Sequence, residues 1–161
     1  MNKVSKILES NQYEEVVKTI RNGFVNKDCS ITKSNNRIAT ALVLSANTGM
    51  PMSYIVKLRL EDFVEDEYGY LIKVGSKNFA ASKKLYQFLK EYANENNLNI
   101  QNKLFDLSTR AIQQHLSKTC EYLEYEDVIT TESFKKMFTD RIYGIGCKPN
   151  IYKKFTTMIN E

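Results

Sequence analysis

One strongly apolar segment, residues 38–49, constrains the fold of this chain more than any other feature. Apolar residues recur there at helical spacing, and the segment closes with Asn47-Thr48-Gly49, a stop typical of a helix C-terminus. The chain holds only two prolines and six glycines among 161 residues, so breaks between elements are few. The sequence therefore predicts a compact, mostly helical chain with few long loops.

The remaining periodicity predicts further helices and one small β-structure. A first helix is expected over residues 3–22, where Ser10 and Asn11 either interrupt it or cap a second turn. Further helices are expected from about Met52 to Leu58, over 82–97, from Ser108 to about Tyr122, from Thr130 to Gly144 and, briefly, over 149–161. Residues 22–36 are predicted to form a polar connector. A strand-like run at 70–74 lies between glycine-containing turns, which indicates a β-hairpin or small sheet. The predicted fold class is mainly α with a small antiparallel β-sheet (α+β), in a single domain spanning 1–161.

Several classes of protein are disfavoured by what the sequence lacks. The sequence contains no run of about 18 apolar residues, the length that spans a membrane, and the N-terminus has no apolar signal core. Cys29, Cys120 and Cys147 lie far apart, so neither a disulfide framework nor a zinc site is expected. His115 is the only histidine, which excludes triads and multi-histidine metal sites. We expect a cytoplasmic protein without metal or cofactor.

The charge of the chain is mildly basic and unevenly distributed. The net charge is +4 and the pI is about 8.8. Residues 135–154 hold six Lys and Arg against Asp140 alone, whereas residues 61–67 hold five acids. A concentrated positive charge suits a surface that faces phosphates. The alternative interpretation of this charge is a solvated lysine face that binds no ligand.

The string "IATALVLSANTGMPMSYIVKLRLEDF" resembles the first conserved box of the tyrosine recombinase, or phage integrase, catalytic domain. In that family an apolar helix leads into Thr-Gly-x-Arg, then Ser-Glu, a buried stripe, Leu-Arg or Leu-Lys, and an acidic turn. Residues at family positions here are Thr48, Gly49, Ser53, Leu58, Arg59 and Asp62. The resemblance implies the fold of that catalytic domain.

Three later segments follow in the family's order. "YLIKVGSK" stands where the family has its β-hairpin, which places Lys77 near the catalytic hairpin lysine. "KLFDLSTRAIQQHLSKTCEYL" is similar to the helix through which Cre, a member of the family, reads its DNA site. "ITTESFKKMFTDRIYGIG" falls where the family has His-x-x-Arg-His followed by a helix. The resemblance covers about residues 35–148, which we expect to form the integrase-like core.

The chain departs from the family at the residues that cut DNA. Two arginines of the family hold the phosphate oxygens, and the first of these positions is Pro51 here. Glu132 and Lys135 occupy the His-x-x-Arg positions, and Lys136 occupies that of the following histidine. Losing one preorganised donor costs about 10²–10³ in rate. The family's tyrosine should follow Lys135 by roughly 30 residues or more, near or beyond the last residue, so we expect no catalytic residues and no cleavage.

Side chains for DNA binding are still present. The polar side of the predicted helix that starts at Ser108 carries Arg110, Gln113, Gln114 and Lys118. Arginine pairs with guanine and glutamine with adenine in the major groove. The resemblance to the Cre helix makes Arg110 the first candidate for a base contact, and a solvated polar face is the alternative. Lys77, Lys135 and Lys136 would line the former phosphate site, so double-stranded DNA is the expected partner.

These observations lead to one main hypothesis and two alternatives. The chain is expected to be a non-catalytic, integrase-like DNA-binding protein, such as a repressor or other regulator of a phage or mobile element. Only about 35 residues precede the first box, so a second copy or a partner protein is expected to assist binding. One alternative is a protein-interaction module, such as an inhibitor of a related integrase. The other is an active recombinase with Tyr152 as a displaced nucleophile.

Overall fold

Six α-helices and two small antiparallel sheets order residues 5–144, which are the residues that the computed structural model describes. The helices are α1 Ser10–Asn22, α2 Asn36–Thr48, α3 Met52–Ile55, α4 Lys83–Glu95, α5 Thr109–Tyr122 and α6 Thr131–Gly144. The strands are β1 Phe24–Val25, β2 Ile31–Thr32, β3 Phe63–Glu65, β4 Tyr70–Val74 and β5 Lys77–Ala81. The predicted α+β class is confirmed.

Helix α2 is the centre of the packing. Ala41, Leu42 and Leu44 are completely buried, because α1, α3, α4, α6 and β5 all contact this helix. Its N-terminus is capped by Asn35, whose side-chain oxygen accepts a hydrogen bond from the Ile38 amide at 3.0 Å. Its C-terminus ends on Gly49 in the left-handed conformation, with φ of 74° and ψ of 13°. The apolar segment thus forms the helix that the sequence predicts.

Helices α4, α5 and α6 also agree with the sequence prediction. Ser82 caps α4, since its hydroxyl accepts from the Leu85 amide at 3.0 Å. Ser108 caps α5 in the same way, accepting from the Ala111 amide at 3.0 Å. Serine is favoured at these positions because its oxygen satisfies a first-turn N–H that has no partner within the helix. The start of α5 is therefore encoded locally.

The larger sheet has the strand order β3-β4-β5, and both pairs are antiparallel. The β4–β5 hairpin turns at Gly75, whose φ is +60°, and confirms the predicted hairpin. Strand β3 was not predicted, since it lies within the acidic stretch of residues 61–67. Its anchor is Phe63, which is buried, pairs with Ile72 in register and packs on the Tyr86 ring.

Besides the missed strand β3, the structure differs from the sequence prediction at three places. Helix α1 starts at Ser10 rather than at residue 3, because Gln12 reaches back to accept from the Glu9 amide at 3.3 Å and caps the helix there. Residues 5–9 precede it without helical structure, and we call them the N-terminal strap. Helix α3 ends at Ile55, so residues 56–58 are turn and loop.

The third difference is the predicted polar connector, which contains the β1–β2 hairpin. Asn26 holds the hairpin turn, because its side-chain amide donates to the Ser30 carbonyl at 3.1 Å and to the Thr32 hydroxyl at 2.9 Å. Phe24 stacks on Tyr122 of α5, with ring centroids 4.4 Å apart, and attaches the hairpin to that helix. Among residues 5–144 no helix is long and apolar enough to cross a bilayer. The predicted helix 149–161 and Tyr152 lie outside the described residues.

Candidate nucleic-acid interface

Helix α5 has one buried side and one exposed side. Ile112 and Leu116 are completely buried in the core. Arg110, Gln114 and Lys118 follow one another at four-residue spacing and are exposed. Because residues four apart lie on the same face of a helix, these three side chains form one polar row, which we call the reading face.

Two residues of the reading face have no internal partner in the part of the chain that is described. Within residues 5–144, neither Arg110 nor Gln114 makes a side-chain hydrogen bond or an ion pair. The third residue, Lys118, borders a cleft of about 390 Å³ between α5 and the β1–β2 hairpin. The reading face therefore presents a guanidinium, an amide and an ammonium group to the outside.

Gln113 is not on the reading face, although the sequence places it next to Gln114. It is half-buried, and its side-chain oxygen accepts from the Thr131 amide at 3.0 Å. Its side-chain nitrogen donates to the Ser117 hydroxyl at 3.1 Å. Both ends of the amide are therefore used inside the protein, the oxygen joining α5 to the start of α6 and the nitrogen bonding within α5. The expected DNA contact by Gln113 would require these bonds to break.

His115 lies half-buried on α5, and its buried Nε2 atom has no hydrogen-bond partner among residues 5–144. Burial lowers the pKa of this imidazole, and the positive charge of Lys118 lowers it further. The side chain is therefore held in its neutral form beside the reading face. Among the described residues, no group of three or more His, Cys, Asp and Glu side chains could hold a metal ion.

The first turn of α6 is closed by its own hydrogen bonds. The Thr130 amide donates to the Ser133 hydroxyl at 3.1 Å, and the Glu132 amide donates to the Thr130 hydroxyl at 3.2 Å. The Thr131 amide donates to Gln113, as described above. A helix N-terminus binds anions through such amides when they are free. At this helix start, which we call the α6 entry (residues 130–136), three of these donors are occupied.

The charged side chains of the α6 entry are also occupied. Lys135 forms an ion pair with Glu132, with nitrogen and oxygen 3.4 Å apart. The Lys136 ammonium donates to the backbone carbonyl of Ser5 in the N-terminal strap at 3.3 Å. Both lysines carry positive charge at the α6 entry, but the carboxylate of Glu132 offsets part of it.

Pro51 and Lys77 are the remaining residues that the sequence predicts for the site. Pro51 stands directly before α3 with φ of −67° and ψ of 150°, and its side chain offers no hydrogen-bond donor. The Lys77 ammonium lies 5.6 Å from the centre of the Tyr54 ring, a cation–π distance that links β5 to α3. Neither residue places a guanidinium group at Pro51.

Helix α6 approaches the first box at Gly49. A Cβ atom added to Gly49 would lie 2.6 Å from Cδ1 of Phe138, which is closer than carbon atoms pack. Arg141 lies over the Phe138 ring and donates to the Ala46 carbonyl near the end of α2 at 3.4 Å. The structure therefore brings the first box into contact with α6.

Sequence reasoning missed the contacts that close the α6 entry. Thr130 and Ser133 have the spacing of a reciprocal helix cap, a signal that could have been read from the sequence. The bonds from Gln113 and Ser5 join residues that are far apart in the chain, and no local pattern indicates them.

Solved structures of tyrosine recombinases share this fold. The XerA recombinase matches with a TM-score of 0.65 and 12% identity, over 92% of this chain and 55% of that one. The integrase of the Tn1549 transposon, in complex with circular intermediate DNA, matches with a TM-score of 0.65 and 13% identity, over 92% and 55%. The XerH site-specific recombinase bound to its difH substrate matches with a TM-score of 0.61 and 16% identity, over 89% and 44%. The chain therefore has the fold of a tyrosine-recombinase catalytic domain.

The chain spans about half the length of the recombinases it matches. No protein-family model matches the sequence, and no curated protein sequence matches it either. The comparisons thus confirm the fold implied by the sequence motifs.

Proposed function

We propose that this chain is an integrase-like protein that binds double-stranded DNA without cutting it. Its role would be that of a transcriptional repressor or other regulator of a phage or mobile element, acting in the cytoplasm. Binding would use the reading face of α5 for sequence and lysines, among them Lys77, Lys118 and Lys135, for the backbone, while Lys136 is bonded to Ser5.

The observation that carries the proposal is the state of the α6 entry. Where the family has a histidine and an arginine, this chain has a carboxylate and a lysine paired at 3.4 Å. Transition-state stabilisation in phosphoryl transfer requires donors that are already aimed at the phosphate oxygens. Glu132 would instead repel those oxygens, and Pro51 contributes no donor. This arrangement supports a protein that has lost the chemistry.

DNA binding is supported by the fold and by the reading face. Arg110 and Gln114 are exposed and have no internal partner among the described residues, and arginine and glutamine are the side chains that recognise guanine and adenine. Two of the matched structures are complexes of other proteins with DNA. With the reading face accessible, a duplex can approach α5 without any rearrangement of residues 5–144.

A selection from random duplexes followed by fluorescence anisotropy tests the DNA-binding part. We expect binding that weakens with salt, since Lys and Arg contacts to phosphates release counterions. Arg110→Ala should reduce the preference for the selected site by about 1–3 kcal/mol. Lys118→Ala should weaken binding to all duplexes and reduce the salt slope by about 1. Lys90→Ala, an exposed lysine on α4, is the charge-matched control.

A nicked suicide substrate tests the loss of chemistry. A tyrosine nucleophile would form a covalent protein–DNA adduct, and we expect none at any protein concentration. An adduct that disappears in Tyr152→Phe would establish the displaced-nucleophile alternative instead.

A second candidate function is a protein-interaction module, such as an inhibitor or accessory protein of a related integrase. The observation that favours it is an exposed apolar pair on the β1–β2 hairpin, where Val25 and Ile31 face each other in register and are 59% and 74% exposed. Absence of salt-dependent DNA binding, together with binding to an integrase that is lost in Ile31→Ser, would favour this function.

A further inference from the structure

The N-terminal strap is fastened to the connection between α5 and α6. The Lys6 amide donates to the Val128 carbonyl at 2.7 Å, and the Lys6 ammonium pairs with Asp127 at 2.9 Å. The Ser5 hydroxyl lies 2.6 Å from the hydroxyl of Thr130, the residue that caps α6. The strap therefore runs directly beside the α6 entry.

Lys136 has a weak partner in this arrangement. Its ammonium donates to the neutral Ser5 carbonyl at 3.3 Å, and its side chain is half-buried. A phosphate oxygen carries a full charge, and charge-assisted hydrogen bonds are roughly twice as strong as neutral ones. The Ser5 carbonyl is therefore a weaker acceptor for Lys136 than a phosphate of DNA would be.

We propose that Lys136 can bind a DNA phosphate and that the N-terminal strap prevents it from doing so. This proposal rests on the DNA-binding function proposed above. While the strap is seated, the ammonium is turned to Ser5. When the strap leaves the α6 entry, Lys136 gains access to the DNA backbone and adds one phosphate contact. The strap is in this sense an autoinhibitory contact.

The strap has the properties of a segment that opens locally. Its Lys6–Asp127 ion pair is partly exposed, with side-chain exposures of 30% and 46%. Ile7 is 45% exposed, and only Leu8 is anchored in the core. Segments with few buried apolar contacts open at a lower free energy than the whole domain unfolds.

The test uses substitutions in the strap that leave the charge unchanged. Ser5→Ala with Leu8→Ala removes the bond to Thr130 and the apolar anchor. Ile7→Ala, on the exposed side of the same strap, is the control. Lys136→Ala is introduced into the wild type and into the Ser5→Ala/Leu8→Ala variant. Hydrogen exchange of the Lys6 amide, which is bonded to Val128, reports whether the strap has opened.

In the Ser5→Ala/Leu8→Ala variant, we expect faster exchange at Lys6 and a steeper dependence of DNA affinity on salt. One added phosphate contact steepens the slope by about 0.9, equivalent to a further threefold to fourfold loss of affinity between 50 and 200 mM salt. Lys136→Ala should abolish this gain in the opened background and have little effect in the wild type. Ile7→Ala should behave as the wild type does.

Several results would overturn the proposal. Faster exchange at Lys6 with an unchanged salt dependence of DNA affinity would mean that Lys136 gains no phosphate contact. A steeper salt dependence that persists in Lys136→Ala would mean that another group makes the added contact. If the double variant loses its fold, Ser5→Ala alone should shift both measurements in the same direction by smaller amounts. Unchanged exchange at Lys6 in both variants means that these contacts do not hold the strap.

Failure of the strap proposal can be told from failure of the proposed function. If the wild type binds DNA with a dependence on Arg110 but the slope never responds to the strap, only the strap proposal fails. If no duplex is bound although the strap opens, DNA binding itself fails.

Discussion

The reading face of α5 and the α6 entry lie on helices that contact each other, yet their side chains are in opposite states. On the reading face, Arg110 and Gln114 are exposed and make no internal bond among the described residues. At the α6 entry, amides, hydroxyls and lysines are bonded to one another, to Gln113 or to the strap. A side chain that must bind a partner is best left unsatisfied, whereas a satisfied one contributes to stability. Substitutions at the α6 side should therefore cost stability, and those on the reading face should cost binding.

The largest expected effect is at Phe134, which is completely buried in α6 and contacts the Tyr13 ring edge-on. Phe134→Ala should destabilise the protein by about 3–5 kcal/mol, because it removes apolar contacts and leaves a cavity. Urea unfolding monitored by circular dichroism measures the loss. Tyr68→Ala, at an 83% exposed position, is the control and should change stability by less than about 0.5 kcal/mol. A cost under 1 kcal/mol for Phe134→Ala would mean that α6 is not part of the core.

The next effect is at the contact between Gly49 and Phe138. Gly49→Ala should cost about 1–3 kcal/mol from the left-handed conformation alone, and more because the new Cβ would meet the Phe138 ring. Gly75→Ala separates the two contributions, since Gly75 also has positive φ but nothing lies within 4 Å of an added Cβ. Equal losses in the two variants, measured by thermal unfolding, would show that the contact with α6 contributes nothing.

Gln113 and Gln114 offer the most direct comparison, because they are neighbours of the same type with different surroundings. Gln113→Ala leaves the Thr131 amide without its acceptor and should cost about 1 kcal/mol of stability. Gln114→Ala should change stability by less than about 0.5 kcal/mol but reduce preference for the selected DNA site. Parallel urea titrations and anisotropy measurements check both. If Gln113→Ala instead reduced DNA preference and Gln114→Ala reduced stability, the roles of the two glutamines would be the opposite of those inferred.

The smallest effect is a pH dependence from His115, the only histidine of the chain. Burial lowers its pKa in the folded state below the ordinary value of 6.5, so the unfolded chain binds the proton more readily. The stability contributed by the neutral imidazole is therefore complete above pH 6.5 and is lost as the pH falls through the folded pKa. Unfolding midpoints between pH 7.5 and 5 should decline less in His115→Gln than in the wild type. Identical profiles would contradict the burial of this side chain.

Much of the fold could be predicted from the sequence because its signals are local. The apolar stripe and the stop at Gly49 predict α2, the amphipathic pattern predicts α4, Ser108 predicts the start of α5, and the turn at Gly75 predicts the hairpin. Strand β3 was missed because one buried Phe63 among acidic residues resembles an exposed loop. The first helix was predicted too long because Leu8 continues the apolar spacing while lying outside the helix.

The sequence by itself determined that Pro51 offers no side-chain donor and that Glu132 carries a carboxylate, since residue identity alone decides these properties. It also placed Arg110, Gln114 and Lys118 on one helix face, because the spacing of an α-helix is fixed. Only the tertiary structure decided that Gln113 differs from Gln114 and that Lys136 is turned to Ser5. Those bonds depend on how α5, α6 and the strap pack together, and hydrogen bonds between residues distant in the chain leave no local pattern.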